Sequence, residues 1–463
     1  MDVVVCGGGV VGLSAAMMFA RDGHDVTVLE RDAATVPETA AEAWERWDRV
    51  GVPQFRQPHN LFPRFRRILE AELPDVLQGL LDAGGTWADL LDSMPPFITD
   101  RDPRPDDDMF RFVTGRRPVV EYVHARAAEN QRGVTVHRGV EIEGFTVSSN
   151  NGHIPHVTGV RTAKGVVRGD IVVDAMGRRS PAAEWIEAVG GRAPIVTSQD
   201  SGYTYYTRYF RGAERPHQIG GAVAMLGTFL ILTLPGDNDT WSVTLWAPSG
   251  DRPLKEFRNV DTFTKVVQAC PFHAQWLEGK PISDVLAMAG ILDRYRRFVV
   301  DETPVATGLA AVGDAWACTN PSAGRGLSVG LLHAQRLRDS LRSDADPVTF
   351  ALEWDRVTET ELAPFYWNQL AADHARLETM AALREGRTVD AAPSILPPQY
   401  ADAARAMLRD PDVFRAVLET VGCLALPQEV FTRPGMWDKV QATEGESISF
   451  PGPTRAELLA LLA

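Results

Sequence analysis

The chain has 463 residues, 44% hydrophobic and 23% charged, which excludes a disordered or fibrous protein and suggests about three structural units. Lys plus Arg number 47 against 61 for Asp plus Glu, a net charge of −14. That balance argues against nucleic acid or an anionic membrane as a partner, since both recruit clustered positive charge.

Residues 3–20 are strongly apolar, but the chain opens Met1-Asp2 without a basic segment, and three consecutive glycines would be costly in a spanning helix. A buried strand, turn and helix are expected, with no signal peptide and no membrane span. Val3-Val4-Val5-Cys6 is a β-branched run suited to a strand buried on both faces. Gly7, Gly9 and Gly12 follow as GxGxxG. Ser14 to Arg21 has helical composition, Gly23 stops it, and Val26 to Leu29 is a second strand ending at Glu30. This is a full βαβ dinucleotide fingerprint. Gly7 allows the tight turn, Gly9 lets the backbone approach a pyrophosphate, and Gly12 lets helix and strand pack closely. The helix N-terminus offers N–H groups to phosphate. Glu30, with Arg31 beside it, sits where a carboxylate binds a ribose hydroxyl pair. The fingerprint leaves FAD and NAD both open.

Farther along, Gly51-Val52-Pro53-Gln54-x-Arg56-x-x-His59-Asn60-Leu61 precedes a loop or helix over 73–105. Arg117-Pro118 opens a helix toward Arg126, and Val134-Thr135-Val136 leads to Gly139-Val140. Ile171-Val172-Val173 is a strand followed by Asp174-Ala175-x-Gly177-Arg178-x-Ser180. Tyr203 to Phe210 is strand-like. Thr228 to Leu234, the turn Pro235 to Asp239, and Trp241 to Trp246 read as a hairpin. Leu309 to Val312 is a strand ended by Gly313-Asp314, and Pro321-x-x-Gly324-x-Gly326-Leu327 opens a helix to about Ser340. From Asp346 onward the chain reads as helical. Trp354, Leu362, Tyr366 and Leu370 fall at helical spacing and suit the core, and Pro393, Pro397 and Pro398 mark a break. Cys6, Cys270, Cys318 and Cys423 lie far apart with no CxxC or His/Cys spacing, so free thiols in a reducing cytoplasm are expected and no metal site.

These four signatures, in this order over residues 1 to about 340, resemble the flavoprotein monooxygenases of the p-hydroxybenzoate hydroxylase type. The resemblance implies an α/β fold: a Rossmann-like FAD-binding domain of glutathione reductase type (1–72, 106–198 and 292–345). It also implies an inserted antiparallel-sheet substrate domain (73–105 and 199–291) and a helical C-terminal region (346–463). In that family Asp314 would bind the ribityl chain, and Pro321, Gly324, Gly326 and Leu327 would set the helix start beside the flavin pyrimidine. Arg117 would reach FAD, Val140 would touch the adenine, and Asp174 and Gly177 would belong to the second FAD-side signature. Asp174-Ala175 departs from the hydroxylase Asp-Gly. It is similar to polyether-type flavin epoxidases, geranylgeranyl reductases and flavin halogenases, which puts direct NAD(P)H docking in doubt. The 51–61 stretch, Trp367 to Arg376, and Leu426-Pro427-x-Glu429-Val430 look like the epoxidase group.

The resemblance implies transfer of one oxygen atom from a flavin hydroperoxide to an apolar alkene or aromatic small molecule, with O2 as co-substrate, in secondary metabolism. The reductant would be NAD(P)H, used directly or through a partner flavin reductase. Epoxidation needs no enzymic base; phenol hydroxylation does. Arg56, His59, Tyr203, Tyr205 and Arg208 are the pocket candidates, and no catalytic residue is assigned among them. Phe229, Ile231, Trp241 and Trp246 are expected to add apolar surface to the same pocket. A flavin dehydrogenase or reductase that moves hydride without oxygen incorporation is the main alternative, and a non-catalytic FAD-binding protein the other. Halogenation is disfavoured because no lysine precedes Lys164 and WxWxIP is missing. Gly326-Leu327-Ser328-Val329-Gly330 matches GxSxG, but Ser328 should lie inside a helix rather than on a strand-to-helix turn.

Overall fold

In the computed structural model, residues 1–148, 154–387, 389, 395–443, 448 and 450–463 are described. Five parallel strands form the central sheet, ordered Leu309–Ala311, Ile171–Asp174, Asp2–Cys6, Asp25–Glu30 and Val134–Arg138. The first βαβ unit is the one its residues demand. Asp2–Cys6 buries Val3, Val4, Val5 and Cys6, Val10–Arg21 follows as a helix, and Asp25–Glu30 returns alongside in parallel register. Gly7 has φ +109°, a conformation that side chains other than glycine's resist, and an added Cβ would lie 2.5 Å from Ala175 O. The helices Val10–Arg21, Arg117–Asn130 and Gly326–Ser340 pack together over this sheet. Ser328 lies fully buried within the last of them, as its spacing implied.

A six-stranded sheet stands beside this core. Val223–Leu226, Phe229–Pro235, Thr240–Pro248 and Tyr203–Arg211 run antiparallel in that order, and Lys280–Pro281 and Leu286–Met288 both pair with Tyr203–Arg211. The expected hairpin is present, its turn taking Asn238 and Asp239 through positive φ. Asp237 in that turn is fully buried. It accepts from the Arg116 backbone N–H at 2.7 Å and pairs with its guanidinium at 2.6 Å, fastening the sheet to the helix that opens at Arg117. The linking sheet Ile195–Asp200, Leu292–Arg297 and Ala317–Cys318 joins the two bodies.

Strand pleating divides the six-stranded sheet into two faces. Tyr206, Phe210, Phe229, Ile231, Trp241, Val243 and Leu245 pack on one side against the helix Val260–Gln268. Tyr203, Tyr205, Leu230 and Trp246 face the other way, toward Ile291 and Met380. This corrects the expectation that Phe229, Ile231 and Trp241 add to the substrate pocket: they form the sheet's back core.

Within 73–105, Leu73, Val76, Leu77 and Leu80 pack in the core of the parallel sheet. Ala88, Leu90, Met94 and Ile98 pack against Phe414 and Leu418 of the C-terminal helices. The segment touches the six-stranded sheet at the hairpin turn, where Asn238 N–H donates to Gly84 O at 2.9 Å. Beyond residue 345 the described residues are mainly helical, opening on Pro347–Val357, where Asp346 accepts from Val348 and Thr349 N–H groups. Such a cap stabilises a helix by about 1 kcal/mol. Trp354, Leu362 and Tyr366 are buried in the main core and Leu370 packs against it. Pro397 precedes the single turn Pro398–Tyr400, which leads into the helix Ala401–Ala406; Pro393 lies outside the described residues. All four cysteines are buried and free. Among the described residues no helix is long and apolar enough to cross a membrane.

Candidate active site

A cavity of about 400 Å³ opens beyond the carboxyl ends of the parallel strands and continues to the inner face of the six-stranded sheet. Its size is that of a small-molecule site, and its place is where open α/β sheets bind ligands. Gly7, Gly9, Gly12, Glu30, Arg31, Arg117, Val140, Gly177, Asp314, Pro321, Gly324, Gly326 and Leu327 all lie in its wall. Asp174 does not. It is fully buried, accepts from Ser180 Oγ at 2.5 Å and from Met176 N–H at 3.0 Å, and so shapes the Ala175–Gly177 turn from behind.

The glycines divide by what surrounds them. A Cβ on Gly12 would stand 2.1 Å from Gly7 O, whereas one on Gly9 would meet nothing within 4 Å and would project into the cavity. Gly12→Ala is therefore expected to destabilise the FAD-free protein by at least about 1–3 kcal/mol, the cost of overpacking. Gly9→Ala should leave thermal unfolding of the FAD-free protein unchanged and weaken nucleotide binding. Thermal scans and flavin titration of both variants check this contrast.

Glu30 is 5% exposed and already organised. Its Oε2 accepts from Gly8 N–H at 2.8 Å and from Arg49 at 2.7 Å; Oε1 accepts from Asp32 N–H at 2.8 Å. Arg49 also reaches Asp32 at 2.9 Å and Glu121 at 3.0 Å. Burial disfavours the Arg49 charge, but Glu121, Glu30 and Asp32 outweigh it and raise its pKa. Burial likewise pushes Glu121 up, yet Arg117 and Arg49 hold it below the ordinary carboxylate range. Arg117 donates to Glu121 at 2.8 Å and to His59 Nε2 at 3.1 Å. One buried chain of charges thus runs from Glu30 to Arg117 and ends on the His59 ring.

This geometry defines His59. Gln57 O can only accept, so Nδ1 carries the proton and donates at 2.9 Å. Arg117 can only donate, so Nε2 accepts. Both ring nitrogens are engaged. Burial, aided by the Arg117 charge, depresses the pKa to about 3, so the ring is neutral at physiological pH. His59 holds Arg117 in place and is not free to take a substrate proton.

Burial likewise holds His333 at about 3, and His124 and His273 at about 4. Each has a folded pKa below the unfolded value of about 6.5, so the unfolded chain binds more protons as pH falls. Stability is whole above pH 6.5 and is lost between there and about pH 3–4. Each histidine contributes a slope of about 1.4 kcal/mol per pH unit. Urea unfolding of the FAD-free protein from pH 7.5 to 5 should show this decline.

Asp314 faces the cavity and makes no side-chain hydrogen bond or ion pair among the described residues. Burial raises its pKa, against Arg117, Arg178 and Arg296. An unpartnered carboxyl in a cavity wall can accept from polyol hydroxyls. Together with the open space at Gly9 and the free N–H groups at the helix start Gly326, it makes the wall fit a flavin dinucleotide.

At the sheet, the wall is Tyr205, Leu232, Thr244, Trp246, Met288 and Ile291. Tyr205 stacks on Trp246 with ring centroids 5.7 Å apart. Its hydroxyl donates to Asn320 Oδ1, and burial pushes its pKa well up. Of the other pocket candidates His59 lines the wall, whereas Tyr203, Arg56 and Arg208 lie outside it. Tyr203 is buried behind Tyr205, beside Met380. Arg56 donates to Trp44 O and Trp47 O. Arg208 lies on the opposite pleat, donating to Ser283 O at 3.3 Å. Sequence reasoning missed Arg49, Asn320, Arg325, Trp316, His333 and Gln369; of these Arg325 stood inside the quoted glycine-rich motif and Asn320 directly before it, and the others carry no local signal.

Residues 2–43 match the family model described as FAD dependent oxidoreductase. Protein Rv3254 of Mycobacterium tuberculosis is 25% identical over 417 residues, spanning 81% of this chain and 82% of that protein. PqsL of Pseudomonas aeruginosa, also solved in complex with 2-aminobenzoylacetate, superposes with a TM-score of 0.60 at 18% identity, covering 83% of this chain and 99% of that one. The OxyS anhydrotetracycline hydroxylase of Streptomyces rimosus superposes with a TM-score of 0.56 at 17% identity, covering 92% and 76%. The N-terminal segment matches the FAD-dependent oxidoreductase model, and the fold is shared with these solved flavoproteins.

Proposed function

We propose that the protein is an FAD-dependent monooxygenase that places one oxygen atom of O2 on an alkene or aromatic small molecule, as in a biosynthetic pathway. The observation that carries this reading is the continuity of one cavity from the Gly9–Glu30 nucleotide cradle to the aromatic wall at Tyr205 and Trp246. The complex of PqsL with an aromatic ketoacid supports an aromatic ring as the occupant. Bound FAD, once reduced by NAD(P)H directly or through a partner reductase, supplies the electrons that activate O2.

The chain's own residues bind and orient. Glu30 takes the ribose, the Gly9 turn and helix Val10–Arg21 the pyrophosphate, Asp314 the ribityl chain, and the Gly324–Leu327 helix start the pyrimidine edge. Leu232, Trp246, Met288 and Ile291 exclude water and hold the apolar substrate. Neither His59 nor Tyr205 is arranged as a base, which favours epoxidation, or hydroxylation of a ring already electron-rich. Tyr205→Phe should therefore change the rate of oxygen transfer only a few fold. Were Tyr205 a general base, the rate would fall by about 10²-fold or more; single-turnover rates decide.

Denaturing the yellow protein should release FAD and no FMN, because Glu30 has no ribose to bind in FMN. Anaerobic reduction followed by oxygen, with and without substrate, separates an oxygenase from a hydride-moving dehydrogenase.

A further inference from the structure

We infer that the substrate carries an anionic oxygen, a carboxylate or an acidic enol or phenol, and that Arg325 receives it. The inference rests on the monooxygenase reading and names its substrate class.

Arg325 lies in the cavity wall between Gly324 and Gly326. Among the described residues its guanidinium makes no hydrogen bond and no ion pair, and its Nε is buried without a partner. A guanidinium does not shed its proton at neutral pH, so this charge stands half-buried in the wall with no ion-pair partner. The anion nearby is spoken for. Asp373 pairs with Arg376 at 2.9 Å and accepts from Ser322 Oγ at 2.9 Å and Gln369 Nε2 at 2.7 Å. The other group that favours the Arg325 charge, the Cys423 thiol, is pushed up to about 11 by burial and is neutral.

Two further donors in the same wall are unsatisfied. Asn320 is 2% exposed; its Oδ1 accepts from Tyr205 and its backbone N–H donates to Asp293 at 2.5 Å, leaving Nδ2 without a partner. Trp246 is fully buried, and its Nε1 has none either. A buried polar group left unpaired keeps its desolvation cost without the hydrogen bond that would offset it. Arg325 Nε, Asn320 Nδ2 and Trp246 Nε1 are all donors; the groups left over that can accept are Gln369 Oε1 and the Tyr366 hydroxyl, with the Asp314 carboxylate on the side assigned to the ribityl chain. A ligand that satisfies this wall brings acceptor oxygens and negative charge, together with the apolar body that Leu232, Met288 and Ile291 require.

The probe is benzoate against its neutral isostere benzamide, each titrated into the oxidised holoprotein and read by the visible flavin spectrum. The wild type should bind benzoate at least about tenfold more tightly than benzamide, the scale of one charge-assisted hydrogen bond. Arg325→Gln should abolish that preference while keeping its FAD, and Arg325→Lys should retain part of it. Equal affinity for the two probes in the wild type, a benzoate titration that leaves the spectrum untouched, or a preference surviving in Arg325→Gln would overturn the inference. FAD lost from Arg325→Gln and kept by Arg325→Lys would overturn it too, by assigning the cation to the cofactor. A wild-type protein that holds no FAD fails the monooxygenase reading itself, a different outcome from any of these.

Discussion

Replacing Arg49 with glutamine is expected to cost the fold about 3–5 kcal/mol, the scale for removing one partner from a buried ion cluster. Arg49 is 2% exposed and is held by Glu30, Asp32 and Glu121 at once. Without it, Glu30 keeps only its backbone donors, and Glu121 depends on Arg117 alone. The second consequence is on the ligand side. Glu30 and Arg117 both face the cavity, so FAD affinity should fall together with stability. Urea unfolding of the FAD-free variant, with flavin titration of the material that folds, measures the two separately. A loss below about 1 kcal/mol, the range of an exposed ion pair, would show that the cluster is not the brace described.

Asp314→Ala should lose FAD affinity by roughly 10- to 100-fold, the scale of one or two hydrogen bonds to a charged group, with a larger loss of turnover than Arg117→Ala. Asp314 has no protein partner to leave stranded, so the FAD-free variant should fold as the parent does. Arg117 does have partners. Its removal frees Glu121 and His59, and the effect should appear in stability first. Flavin occupancy and unfolding curves on both variants distinguish the cases. Full occupancy and rate in Asp314→Ala would mean that the strand end at Leu309–Ala311 does not deliver a ligand-binding acid.

What could be read in the sequence was local. Gly7, Gly9, Gly12 and Glu30 announce their roles because turn, helix start and strand end are contiguous in the chain. Gly313-Asp314 and the helix start at Gly326 do so for the same reason. The hairpin over Phe229–Pro235 and Thr240–Pro248 was legible from its turn residues and alternation. Alternation defines two faces but not which of them meets the cavity. Tyr205 and Trp246 therefore could not be told from Trp241 and Phe229 until helix Val260–Gln268 was seen to cover the latter pair. Arg56 and His59 lie three residues apart on one loop, yet one turns to backbone carbonyls and the other to Arg117. Arg49 has no motif; Glu30 and Asp32 at one strand end and Glu121 from a distant helix converge on it only in the folded state. Gln369 reaches the wall from a helix past residue 362, a distance no spacing rule spans.

The most direct test of oxygen transfer is the fate of labelled O2. Reduced holoprotein is given an alkene or aromatic compound that speeds its reoxidation, exposed to 18O2, and the product is analysed by mass. One labelled atom in the organic product for each molecule turned over is the predicted result. A product with no atom from O2, formed while oxygen goes to peroxide or is not consumed, would contradict the monooxygenase account and favour hydride transfer.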